Sequence, residues 1–147
     1  MLKLLKSRAG FSLVELIVVI IILGILVAIA VPALIGYVNR ANIAADIAAA
    51  DGLSNVASAY YYEKYPNFPA TAEDLKAALQ TPVNGAAPYN SSSWPKSRYA
   101  EPGQDMVVMY DTDGNVIVTT QSGVTILPSD IAKSEPGNPY GAAGISP

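Results

Sequence analysis

From Leu16 to Gly36 the chain runs through 21 residues without one charged or polar side chain. About 20 such residues are enough to cross a bilayer as a helix. Beyond Tyr37 the pattern turns from solid to periodic. The stretch from Arg40 to Tyr62 is rich in alanine, and Ile43, Ile47, Val56 and Tyr60 recur at spacings that hold them near one face, with Asp46 and Asp51 assigned elsewhere. That spacing predicts an amphipathic half-helix laid against a globular partner. The two stretches together predict one helix from about Phe11 to Tyr65, ended where Pro66 drives the preceding residue out of the helical region. At about 1.5 Å per residue it would be about 80 Å long.

The remaining residues read as a small head. Thr71, with Asp74 three positions on, predicts a capped start for a short helix over Ala72–Gln80. Residues 81–104 carry Pro82, Pro88, Pro95 and Pro102 and read as loop, and Asn90-Ser91-Ser92 within it fits a glycosylation sequon. Three runs rich in β-branched residues follow, Met106–Tyr110, Val116–Thr120 and Val124–Leu127, separated by Asp113-Gly114 and Ser122-Gly123. Asp-Gly between such runs is a strong hairpin signal, so the three runs predict an antiparallel meander. The tail from Pro128, rich in Gly, Pro and Ala, either packs over the sheet edge or stays mobile. The expected fold class is therefore α+β: a long N-terminal α-helix, apolar stem plus amphipathic half, packed on a small antiparallel sheet. Of the consecutive Tyr60, Tyr61 and Tyr62, about 100° apart on a helix, one or two should pack under the sheet while another faces outward.

Composition narrows the chemistry. The 147 residues include no cysteine and no histidine. Disulfides, thiolate metal sites, imidazole ligands and histidine-based catalysis are thereby excluded. Asp111, Asp113 and Asn115 alternate as in a calcium loop, but Val116 and Ser122 stand where that loop needs Gly and a bidentate Glu. A tight turn accounts for the same residues, so no metal and no cofactor is expected. No nucleophile, base and orienting group can be assembled either, and an enzyme is not expected. Lys3, Lys6 and Arg8 precede the apolar run, and this basic start places the C-terminal side outward across the membrane. The whole chain carries a net charge of −3, and without its first ten residues the charge becomes −6. Such an acidic surface is unsuited to nonspecific nucleic-acid binding.

One group remains unexplained by membrane insertion alone. Glu15 stands at the mouth of the apolar segment, five residues after Gly10. A carboxylate at the centre of a membrane helix costs roughly 2.5–3.5 kcal/mol, less near an end, and the segment offers it no partner. The run Lys6-Ser-Arg-Ala-Gly10-Phe11-Ser-Leu-Val-Glu15-Leu16, with Gly24 and Pro32 further along, resembles the class III signal of type IV prepilins and pseudopilins. The likeness covers about the first 40 residues; the remainder is similar only in layout.

The resemblance implies a leader, residues 1–10, removed by a prepilin peptidase after Gly10, with methylation of the new amine on Phe11. It implies a membrane and filament-core helix over 11–36 and a head over 37–147. Glu15 would neutralise the Phe11 amine of a neighbouring subunit during assembly, and Gly24 and Pro32 would loosen the helix as the subunit leaves lipid for the filament. The implied partners are other copies of the chain in a helical homopolymer, membrane lipid before assembly, an inner-membrane platform protein and an assembly ATPase. The implied location is the inner membrane as a single-pass precursor with its head outward, then an extracellular pilus or a periplasmic pseudopilus. A pilus subunit serving adhesion, motility or DNA uptake and a major pseudopilin of type II secretion both fit. A third reading takes Ala28-Ile29-Ala30 as an ordinary signal-peptidase site and the product as a secreted protein. Against it stand the apolar stretch continuing to Gly36, Pro32 just past the cut, and an unexplained Glu15.

Overall fold

A computed structural model describes residues 11–64, 67, 69–82, 87, 89 and 94–141. The leader with Gly10, the Tyr65-Pro66 helix stop and the Asn90-Ser91-Ser92 sequon lie outside the described residues. The elements in order are α1 (Leu13–Lys64), α2 (Ala72–Gln80), β1 (Val107–Tyr110), β2 (Val116–Thr119), β3 (Thr125–Leu127) and α3 (Ser129–Ser134). The chain divides into two compact units between Val38 and Asn39.

Helix α1 is 52 residues long and continues through Pro32. In the second unit its buried positions are Asp46, Ala50, Leu53 and Ala57. Their spacing of four, three and four is that of one helix face. Ile43, Ile47, Val56 and Tyr60 are half-buried along the flanks of this face, as their periodicity predicts. Asp46 is the exception to the sequence reading. It was assigned to the polar side with Asp51, yet it is 1% exposed and lies in line with the apolar core positions. The reason is hydrogen bonding: its carboxylate accepts from Ser97 Oγ, the backbone amides of Arg98 and Tyr99, and the Tyr140 hydroxyl.

Helix α2 begins as its cap predicts, with Thr71 Oγ1 accepting from the Asp74 amide at 3.1 Å. It buries Leu75 and Leu79. The sheet has the order β1-β2-β3, antiparallel throughout, with Val108 opposite Val118 and Tyr110 opposite Val116. A register irregularity separates Val118 from Thr119 where β2 meets β3. Met106, Val108, Val116, Val118 and Ile126 join Leu53, Leu75 and Leu79 in the core, closed by Trp94, Ala132 and Tyr140. Trp94 is buried at almost no polar cost because its indole nitrogen donates to the Met106 carbonyl at 2.9 Å.

Both hairpin loops hold three residues instead of the two-residue Asp-Gly turn. Asp111 N donates to Asn115 O across Thr112–Gly114, and Thr120 N donates to Val124 O across Gln121–Gly123. In each the third loop residue is a glycine at positive φ, 85° at Gly114 and 90° at Gly123. A loop of this length ends on a left-handed residue, which glycine adopts without a Cβ penalty. The Asp111 carboxylate accepts from the Asp113 and Asn115 amides and the Asn115 side chain, so it braces the turn.

Tyr61 lies over the first loop, its ring 5.0 Å from that of Tyr110, and a Cβ on Gly114 would meet the Tyr61 hydroxyl at 2.5 Å. Tyr60 is half-buried while Tyr62 is 81% exposed, which divides the three tyrosines as their helical spacing requires.

Two features go beyond the sequence reading, the Lys96–Asp105 bridge and helix α3, while the packing of the tail is one of the two alternatives read there. Lys96 pairs with Asp105 as an isolated bridge inside the segment read as loop. The tail forms α3 and then folds back through Glu135, Asn138 and Tyr140. Glu135 accepts from Thr125 Oγ1 and from Asn138 Nδ2, and Asn138 Nδ2 also donates to the Thr125 carbonyl. The tail is thus packed on β3 as far as Gly141.

A Gly114→Val substitution should destabilise a head fragment beginning at Tyr37 by about 1–3 kcal/mol, since it combines backbone strain with displacement of Tyr61. Denaturant unfolding measures it, and Gly123→Val, which meets open space, should lose only the backbone part.

The same fragment should show a stability plateau bounded on both sides by pH. The Lys76 hydrogen bond holds Asp105 below its ordinary 3.8, and the Thr125 hydroxyl holds Glu135 below its ordinary 4.5. Their contributions are complete above those ordinary values and are lost as pH falls through the lower folded ones. Burial pushes Tyr110 and Tyr140 up from 10.0 to about 12, so their contributions are intact below pH 10 and lost towards 12. Thermal melting between pH 2 and 12 should therefore be flat from about pH 5 to 10 and fall at both ends.

Candidate functional site

The residues that carry the candidate chemistry sit in the first unit. Ser12 and Leu13 open α1, and the first backbone bond runs from Leu16 N to Ser12 O at 3.2 Å. Glu15 is therefore the acidic residue of the first turn. The first turn of a helix is where its unpaired amides and positive dipole end lie. Among the described residues Glu15 makes no hydrogen bond or ion pair. Phe11 precedes the helix and is 83% exposed.

From Leu13 to Val38 every large apolar side chain is exposed, none by less than 42%. The segment Leu16–Gly36 spans about 31 Å at the helical rise, close to the hydrocarbon thickness of about 30 Å. Among the described residues α1 is the one helix long and apolar enough to cross a membrane, judged by length and composition. Among the described residues nothing covers this apolar face.

Of the residues singled out from the sequence, Phe11 and Glu15 come together at the start of α1. Gly24 and Pro32 lie further along the same helix, which continues through both without a break. A Cβ at Gly24 would meet nothing within 4 Å. Pro32 lies inside the helix, with helical backbone on both sides of it. Helix α1 also runs unbroken through Ala28-Ile29-Ala30, so no extended segment is offered to a signal peptidase there. The sequence reading missed Asp46, Ser97 and Tyr140. Asp46 could have been found from its place four residues before Ala50 and seven before Leu53, on the line of the core face.

An α+β head carried on one exposed apolar N-terminal helix, with a lone carboxylate in the helix's first turn, defines a membrane-anchored subunit built for association. Residues 5–31 match the family described as the prokaryotic N-terminal methylation motif. The chain is 33% identical over 96 residues to the type II secretion system core protein G of Pseudomonas aeruginosa, an alignment covering 64% of this chain and 63% of that protein. It is 30% identical over 106 residues to the core protein G of Escherichia coli, covering 70% of this chain and 72% of that one. It is also 39% identical over 82 residues to the fimbrial protein EcpC of Eikenella corrodens, covering 54% and 50% of the two chains. The chain spans less than two thirds of the Pseudomonas aeruginosa relative's length. No solved structure matches significantly. The chain belongs to the type IV pilin and pseudopilin family.

Intact mass and N-terminal sequencing of the mature protein should find a chain beginning at Phe11 and heavier by one methyl group. Gly10→Leu should leave the uncut precursor in the membrane fraction. A mature chain beginning at Val31 would exclude this processing.

Proposed function

We propose that this protein is a structural, non-catalytic subunit of a type IV pilus-like filament, polymerised through its N-terminal helix. The observation that carries the proposal is the exposed apolar face of α1 from Leu13 to Val38, opened by Glu15. In the membrane that face is covered by lipid; in a filament it is covered by the helices of other copies. Since lipid and neighbouring helices are equally apolar, the hydrophobic effect does not choose between them or set their order. A charged pair can. Cutting after Gly10 would create an ammonium on Phe11, and the Glu15 carboxylate of an adjoining copy is the group suited to receive it. Removing one member of such a buried pair costs about 3–5 kcal/mol, so pairing fixes register more than it adds stability.

On this reading a prepilin peptidase removes residues 1–10, and an inner-membrane platform protein and an ATPase drive extraction from the bilayer. The head stays outward throughout, first on the inner membrane and then in an extracellular pilus or a periplasmic pseudopilus. Gly24 and Pro32 are points where α1 loosens on entering the filament. A glycine and a proline cost about 1 and 3 kcal/mol respectively relative to alanine in a helix interior, so this stretch is the part of α1 that unwinds most readily.

A second reading, the major pseudopilin of a type II secretion system, is favoured by alignment length. The two core protein G alignments cover 64% and 70% of the chain, whereas the EcpC alignment covers 54%.

Glu15→Ala should leave cleavage largely intact and abolish or greatly reduce filaments, counted by electron microscopy of sheared or overexpressing cells. Normal filament yield would remove Glu15 from assembly.

A further inference from the structure

Asp46 is a carboxylate buried in the head with no cationic partner among the described residues. Four neutral donors surround it. Its Oδ1 accepts from the Arg98 amide at 2.7 Å. Its Oδ2 accepts from the Tyr140 hydroxyl at 2.8 Å, and from Ser97 Oγ and the Tyr99 amide at 3.1 Å each.

Behind the two hydroxyls, Ser97 Oγ accepts from the Glu101 amide and Tyr140 Oη from the Ala100 amide, and the hydroxyls themselves lie 3.3 Å apart. Two consecutive backbone amides and two hydroxyls thus converge on one carboxylate, so its buried oxygens are satisfied without a cation. A neutral amide in the same place could not satisfy it, because its nitrogen would face donors.

The donors belong to segments far apart in sequence: the 97–99 loop, 51 to 53 residues from Asp46, and Tyr140, 94 residues away. The Tyr140 segment is held along its length by a second set of bonds. Glu135 and Asn138 fasten to Thr125 on β3, the Tyr140 amide donates to Asn138 Oδ1 at 2.9 Å, and a Cβ at Gly141 would strike the Ala132 backbone. Residues 135–141 therefore form a strap with one end on β3 and the other on α1.

We propose that Asp46 is the latch of this C-terminal strap: its buried carboxylate, held by neutral donors, closes the head in a chain that has no cysteine to close it covalently. The latch needs no metal. The acceptor positions of Asp46 and of Glu135 are occupied by protein donors. Asp46 is here a positioning residue: it orders the 97–101 loop and the strap together, so loosening one loosens the other.

Hydrogen–deuterium exchange on the full-length chain in detergent tests this. In Asp46→Asn the amides of Asn138 and Tyr140, neither of which bonds Asp46 directly, should exchange about tenfold faster or more, with little change at Val118 in the central strand. Tyr140→Phe keeps the ring in the core and removes only the donor; the same amides and that of Ala100 should again accelerate selectively. If Asp46→Asn loses protection everywhere, Tyr140→Phe decides the matter. Acceleration in Tyr140→Phe that is uniform across strap and sheet would reduce Asp46 to an ordinary core contributor and overturn the latch, as would unchanged strap protection in both variants. Adding EDTA to the unmodified chain should leave strap exchange unchanged; a rise would show a metal in the closure and overturn the metal-free latch.

Discussion

Apolar surface that its own chain leaves bare is the constraint on which this molecule turns. A run of large side chains from Leu13 to Val38 has no intramolecular cover, and every square ångström of it left in water would cost about 25 cal/mol. On the proposed reading the stem passes from one apolar surrounding, lipid, to another, the helices of other copies. Glu15 is the one side chain between Phe11 and Gly36 that carries charge, and the proposed register rests on it.

The head solves a different problem. A small domain without disulfides must hold its chain end by noncovalent bonds alone. Its core is built on a helix face in which two of the four central positions are alanine, and Ala50 and Ala57 bury no long side chain against the sheet. Closure is transferred to polar groups: Glu135 and Asn138 on β3, Asp105 with Lys76 beside Trp94, and the anion-binding cluster around Asp46. Among the described residues no buried side-chain polar atom lacks a partner. That completeness lets a buried carboxylate contribute to order instead of destabilising the core.

The parts legible in the sequence were those governed by local rules. The period of apolar residues gave α1 nearly to its ends, the Thr71 cap gave α2 to the residue, and β-branched runs between glycines gave all three strands. The N-terminal motif was legible because it is contiguous. What escaped depends on contacts across long separations. Asp46 looks like a surface residue until Tyr140, near the far end of the chain, supplies a donor. Helix α3 is six residues in a Gly- and Pro-rich tail, too short for its periodicity to show. The Lys96–Asp105 bridge sits among prolines that argue against a strand, and only tertiary pairing creates it. The hairpins were placed correctly, but Asp-Gly signals a turn without fixing how many residues close it, here three.

The two hairpin loops share a length and a glycine yet differ in what surrounds them. Gly114 is sealed beneath Tyr61, while a Cβ at Gly123 would meet nothing within 4 Å, although Gln121 and Ser122 beside it bond Asp105 and Glu101. Residues Gln121–Gly123 are exposed and flanked by strands already pinned by their own ladder. Foreign peptide spliced between them would add chain to open solvent at little loop-closure cost. Repeated in every copy of a polymer, that position would become a dense periodic array, which makes this loop the natural grafting point for turning the protein into a display scaffold.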